Sequence, residues 1–362
     1  MRVEHKRNYV LDAMRFLFSI MILIHHSYLI TDGKFRYAPS GYIGVEFFFI
    51  VTGYYMMVYI ERRWREQQTE TMDLGGETRT FVLKKLTKIW PYLLVSDVVS
   101  IVICFIVLKE GILHGIVYAY SELLMLQMAG FWGNYPTGAA WYLSALILAL
   151  LFLFPVAMKF RSMFLNVIAP LMAVLILGHL TLTYGSVGND PGLWDGYFGK
   201  GLVRAVAEIS LGAVCFGVSS YISRWKSSIL SKVLFGIAEV FCYAGVAYIA
   251  YKYQPGKTDI LAILLLFAGI AITTSRQSIW YEYFNFKIFG VLGTLSMAIF
   301  LNNFYWSKCM RTIFPTASIS QLMIYYVVIS LLSALAVYGV VAVLRFVIHR
   351  VREAVIKERV EE

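Results

Sequence analysis

The stretch YVLDAMRFLFSIMILIHHSYLI, residues 9–30, decides the reading of this chain. It is an apolar block carrying Asp12, Arg15, Ser19, His25 and His26. About 20 predominantly apolar residues suffice for a helix to cross a bilayer's hydrocarbon core. Blocks of that length recur at about 41–60, 89–109, 138–158, 164–183, 202–221, 229–250, 259–276, 287–306 and 320–344. Only helices and closed barrels satisfy their backbone polar groups in lipid, and the alternation of a barrel strand is absent. The expectation is an all-α, polytopic integral membrane protein of about ten transmembrane helices. The first block is too long for a signal-peptide core and no cleavage site follows it, so it is expected to stay as an anchor.

Composition agrees. The 362 residues are 59% hydrophobic and 15% charged, with mean hydropathy +0.67, whereas soluble domains are about a quarter charged. The net charge of +10 reads as cytoplasmic loop bias and contact with anionic lipid rather than nucleic-acid binding. Cys104, Cys215, Cys242 and Cys309 lack metal-ligand spacing and form no disulfide framework, so no metal is expected.

Charge also orients the chain. The segment 111–137 is apolar but holds His114, Glu122, Gln127 and the turn-rich tail FWGNYPTG. If it does not cross, 22 Lys and Arg lie on one side and 8 on the other; if it crosses, the split is 15 to 15. The positive-inside rule favours the first arrangement. Both termini are then cytoplasmic, 61–88 is a cytoplasmic loop, 345–362 a cytoplasmic tail, and 111–137 a re-entrant or interfacial outer element. A single membrane domain fills 1–362, multi-pass in a bacterial-type cytoplasmic (inner) membrane.

Ionisable groups within spans are costly and mark function. Arg15 and His26 are 11 residues apart, within about 20° of one helix face and about 16 Å along the axis. Asp12, three residues before Arg15, is placed to pair with it, and Ser19 lies on the same stripe. His25 points about 100° away and reads as structural. A permanent cation at one end suits phosphate. An imidazole at the other suits proton abstraction from a hydroxyl. An acyl-CoA has that extended shape. The alternative reading is an interfacial Asp12–Arg15 pair and a packing His26. Glu46, in GYIGVEFFFIVTGYYMMVYI (41–60), stands near the outer end, within expected reach of His26. Lys85 and Lys88, in FVLKKLTKIWP (81–91), form a basic clamp before a helix interrupted by Pro91; positive-inside charge alone would also place them there. Further polar residues within spans are Asp97, His179, Arg204, Glu208, Glu239, Asn302 and Asn303. Arg204 and Glu208 are an i, i+4 pair expected to neutralise each other, and the two asparagines are expected to bridge helices.

These motifs resemble the membrane acyltransferase-3 family. LDAMRFLFSIMILIHH (11–26) is similar to its first-helix Asp, Arg and His pattern, on Asp12, Arg15 and His26. GYIGVEFFFIVTGYY (41–55), FVLKKLTKIWP (81–91), AAWYLSALILALLFLFP (139–155) and LGTLSMAIFLNN (292–303) resemble later family stretches. The departures are Thr52 for Ser, Lys85 and Lys88 for an Arg pair, Leu146 where many members have Glu, and Asn303 where many have His. The resemblance implies acetyl-CoA, or another short acyl-CoA, bound from the cytoplasm by Arg15, Lys85 and Lys88. It implies O-acylation of a cell-surface glycan or other hydroxyl acceptor outside. His26 would be the base, Asp12 would orient Arg15, and Glu46 would tune His26. A family-like fold also serves transport, so a transporter of a small polar solute is the alternative.

Overall fold

The computed structural model describes residues 7–31, 33, 35–66, 73–131, 136–188 and 190–361, with the side chains of 354–361 excepted. Lys34, the loop centre 67–72 and residues 132–135 of FWGNYPTG lie outside the described residues.

Helix α1 (Tyr9–His26) begins where Asn8 caps it: Asn8 Oδ1 accepts from the Leu11 amide at 3.1 Å. Asn8 Nδ2 donates to Thr273 O at 2.8 Å, tying that end to the helix that carries Thr273. The chain continues through α2 (Ile43–Glu66), α3 (Leu74–Leu108), the short α4 (Ile112–Leu123) and α5 (Trp141–Lys159). Then α6 (Arg161–Met163) runs through a π-turn (Phe164–Ile168) into α7 (Ala169–Tyr184). A two-stranded hairpin, β1 (Trp194–Asp195) and β2 (Phe198–Gly199), precedes α8 (Lys200–Ile222), α9 (Ile229–Lys252), α10 (Thr258–Ser275) and α11 (Trp280–Tyr283). The chain closes with α12 (Lys287–Asn302), α13 (Phe304–Ile313) and α14 (Ile319–Glu361).

Among the described residues nine helices are long and apolar enough to span, or ten if α12 and α13 count as one bent span. This is the all-α, multi-span architecture expected. Of the most apolar stretch of each helix, 72% is buried in α2 but only 22% in α14. So α2 is central and α14 peripheral, its apolar face turned to lipid.

The structure adds local detail to the expected layout. The segment 61–88 is mostly helix, because α2 runs on to Glu66 and α3 starts at Leu74. Charge pairs one turn apart, Arg62–Glu66 at 2.6 Å and Arg65–Glu61 at 3.1 Å, support the end of α2, and Asp73 caps α3. Helix α3 is continuous across Pro91 rather than interrupted there. At 35 residues it is about 52 Å long, so it projects well beyond a hydrocarbon core of about 30 Å. The tail after 345 continues α14 as helix.

The expected span 287–306 is broken instead, with α12 and α13 meeting at 59°. Asparagine chemistry accounts for the bend. Asn302 Nδ2 donates to Ala298 O at 2.7 Å, and Asn303 Nδ2 to Ile299 O at 3.0 Å and Phe300 O at 2.9 Å. These side chains take acceptors that the next turn of helix would use, and side-chain insertion into the backbone ladder bends helices.

The tightest crossing is between α2 and α8. A Cβ on Gly53 would come within 1.9 Å of Ile209 O, and one on Gly212 within 2.1 Å of Ile50 O. Small residues let membrane helices approach this closely. Gly53→Ala is expected to cost more than the ~1–3 kcal/mol typical of overpacking, because rigid backbone blocks it. Gly178→Ala, built into open space, serves as the control. Thermal unfolding in detergent checks this: equal melting temperatures for the two variants would refute it.

Candidate active site

One end of α1 holds a basic cluster. Asp12 accepts from Arg15 Nη1 at 2.8 Å and from Arg7 Nε at 2.5 Å. Glycines of α12 make room: a Cβ on Gly293 would meet Asp12 Cβ at 2.7 Å, and one on Gly290 would meet Arg7. Arg7 Nη2 also donates to Gly290 O at 2.6 Å. The Arg15 guanidinium lies 5.5 Å from the Tyr55 ring centroid. Lys85 is near enough to Arg15 and Lys88 for their charges to interact, and its Nζ sits 5.5 Å from the Phe81 ring. Arg345 of α14 donates to Lys88 O at 2.9 Å and stacks on Tyr92 at 5.2 Å. The structure thus gathers Asp12, Arg15, Lys85 and Lys88 into one cluster and adds Arg7 and Arg345. Neither is marked out in the sequence, since nothing local ties Arg345 to a helix more than 250 residues earlier.

The other end of α1 presents His26. Its Nδ1 lies 2.5 Å from Asn303 Oδ1. The two donor bonds from Asn303 Nδ2 to backbone carbonyls fix the amide, so its oxygen must face the ring. An amide oxygen only accepts. His26 therefore carries its proton on Nδ1 and leaves Nε2 as the basic nitrogen, the arrangement that orients an imidazole for proton abstraction. The ring also packs edge-on against Phe304 at 5.2 Å. His25 differs: its Nδ1 is 2.8 Å from Ala38 O, a bond to the backbone of the loop before α2.

Glu46 is not where the sequence reading put it. Among the described residues no hydrogen bond or ion pair joins it to His26. Its carboxylate faces Arg204, whose Nε donates to Glu46 Oε2 at 2.7 Å and whose Nη2 meets Oε1. The reason is helical phase. Gly44 faces α1, where a Cβ would meet Ile22 at 2.7 Å. Glu46, two residues on, points about 200° away, toward α8. Arg204 bonds Glu208 Oε1 at 3.2 Å, as its spacing suggests, and also donates to Gly188 O and Tyr42 O. All three charged side chains are essentially fully buried. Tyr42 continues the network by donating to Asp259 at 2.7 Å.

The segment around α4 is held from two sides. Ser144 of α5 accepts from the Met128 amide at 3.0 Å and donates to Met125 O at 2.8 Å. Thr137 donates to Glu122 at 3.0 Å. The next residue, Gly138, lies against the Phe304 ring, which touches His26. Helix α4 has 12 residues, about 18 Å, too short to cross. Leu146 is buried in the apolar core. Away from this site, His179 pairs with Asp195 of the hairpin at 2.9 Å. Among the described residues no group of three or more His, Cys, Asp and Glu is placed to hold a metal ion.

Asn303 is the residue beside His26 that sequence reasoning undervalued. Adjacent asparagines in an apolar helix were the available signal, but their partner, 277 positions away on α1, is set by packing alone.

Fold and site together define a multi-pass helical membrane protein with a cationic cluster and an oriented histidine at opposite ends of one buried helix. The acyltransferase domain of the acyltransferase-3 family matches residues 8–343, and the chain belongs to that family. No match is found among curated proteins or solved structures.

Proposed function

We propose that the protein is a membrane-bound O-acyltransferase that moves a short acyl group, acetyl first among candidates, from cytoplasmic acyl-CoA to a hydroxyl outside. The acceptor class is a cell-surface glycan, and the membrane a bacterial-type inner membrane with both chain termini cytoplasmic. The observation that carries this reading is α1 itself: cations gather at one end, and the Asn303-oriented His26 stands at the other.

In this mechanism Arg15, Lys85 and Lys88 hold the donor phosphates, with Arg345 beside them, and Asp12 keeps Arg15 in place. The thioester extends along the bundle toward His26. Nε2 of His26 takes the proton of the acceptor hydroxyl as its oxygen attacks the thioester carbonyl. The tetrahedral intermediate then breaks its carbon–sulfur bond, and His26 returns the proton to the leaving thiolate. Glu46 acts at a distance, by holding Arg204 and the α2–α8 packing, rather than on His26.

Acetyl-CoA binding to the protein in nanodiscs tests the donor site. Arg15→Ala is expected to weaken binding at least tenfold, about 1.4 kcal/mol, and His26→Ala to leave it within about twofold. Absence of wild-type binding at millimolar acetyl-CoA, with other short acyl-CoAs equally inert, would sink the reading. Acyl-CoA-independent solute flux would then favour transport.

A further inference from the structure

On the opposite face of α2 from the donor cluster lies a second basic site. Met57, Glu61 and Arg65 share one stripe of α2, spaced four residues apart, while Tyr55, which carries Arg15, is about 200° from Met57. That stripe, the start of α6 and the end of α8 enclose a cavity of about 320 Å³. Arg65, Arg161 and Arg224 line it, with Ser162, Asn166 and Ser220 among its polar walls. Glu61 is the carboxylate in that lining, and it is already shared by Arg161 at 2.5 Å and Arg65 at 3.1 Å. Among the described residues no ion pair is formed by Arg224, so positive charge is in excess. An adjoining cavity of about 430 Å³ shares Arg65, Arg161 and Ser162 and adds Lys159.

We infer that this cavity binds the phosphate headgroup of an anionic phospholipid from the arginine-rich leaflet. Arginine forks recognise phosphate, and basic pockets between transmembrane helices on the cytoplasmic side take anionic headgroups. The surroundings select a lipid over a soluble phosphate. Trp64, Phe160, Tyr221 and Trp225 stand exposed around the cavity, the residue type of the membrane–water interface. From the cavity's edge an apolar stripe runs away along α6 and α7: Met163, Val167, Leu171 and Val174 are 47–70% exposed, a path for acyl chains. The π-turn at Phe164–Ile168 belongs to both, giving Leu165 and Asn166 to the cavity and Val167 to the stripe, and such turns cluster at functional sites.

Native mass spectrometry of the full chain, released from detergent with phosphatidylglycerol or phosphatidylcholine of identical acyl chains, tests this. Wild type is expected to retain one phosphatidylglycerol more than phosphatidylcholine. Arg65→Gln/Arg224→Gln should lower that retention at least fivefold, about 1 kcal/mol. The charge-matched pair Arg79→Gln/Arg350→Gln, both exposed elsewhere, should not. Gly217→Leu adds a side chain where a Cβ meets only Leu165 at 3.6 Å. It fills the cavity without changing charge, and it keeps the test decisive if the double variant does not fold. Unchanged retention in Gly217→Leu and in the folded double variant, or no preference for phosphatidylglycerol, would overturn the inference. Release of the lipid by millimolar inorganic phosphate would identify a soluble-anion site instead and overturn it equally.

Discussion

His26→Gln lowers acyl transfer at least about a hundredfold, the lower bound for loss of a general base, while acetyl-CoA still binds. Glutamine keeps a polar group of similar reach beside Asn303 but has no basic nitrogen to take a hydroxyl proton. Asn303→Leu gives an intermediate result. The His26 ring keeps its basicity but loses the acceptor that holds its proton on Nδ1, so part of the population presents a protonated Nε2. A loss of about tenfold in kcat with little change in KM for the donor is expected, the low end of the 10–100-fold cost known for removing partners that orient metal-ligating histidines. Asn303→Asp retains an acceptor toward Nδ1 and should recover part of the rate. The measurement is steady-state transfer of labelled acetyl to membrane acceptors. Full activity in His26→Gln would end the general-base assignment. Equal rates in Asn303→Leu and Asn303→Asp would end the orienting role.

Arg204→Met is expected to unfold or severely destabilise the protein. It leaves Glu46 and Glu208 facing each other in the buried interior with the guanidinium gone. Breaking a buried ion pair by removing one partner costs about 3–5 kcal/mol. Replacing the whole cluster with neutral groups often costs little, so Arg204→Met/Glu46→Gln/Glu208→Gln should restore much of the melting temperature in detergent. The restored variant then tests Glu46 directly. Retained transfer supports a packing role for Glu46, while lost transfer in a folded protein would return it to the chemistry. If Arg204→Met melts like wild type, the cluster does not secure the α2–α8 crossing.

Several site features follow from spacing along one helix and were legible in the chain. Asp12 and Arg15 pair because three residues put them on neighbouring positions of one face, and the structure joins them at 2.8 Å. Arg15 and His26 share a stripe for the same reason. Lys85 and Lys88 lie one turn apart on α3, so a single helix face carries both charges. Glu46 shows the limit. Its depth was readable, but its direction depended on which face of α2 meets α1, and the close approach at Gly44 settles that.

The sequence by itself determined the class of fold, most of the apolar helices and the α1 stripe, because hydrophobic runs and helical periodicity are local properties of the chain; the break in 287–306 was not among them. Only the tertiary structure decided the partners. Asn303 on His26, Arg204 between Glu46 and Glu208, Arg345 beside Lys88 and the arginine cavity behind α2 all join residues distant in sequence. Such pairs depend on helix phase and on which helices cross at glycines, and no periodicity within one segment encodes either.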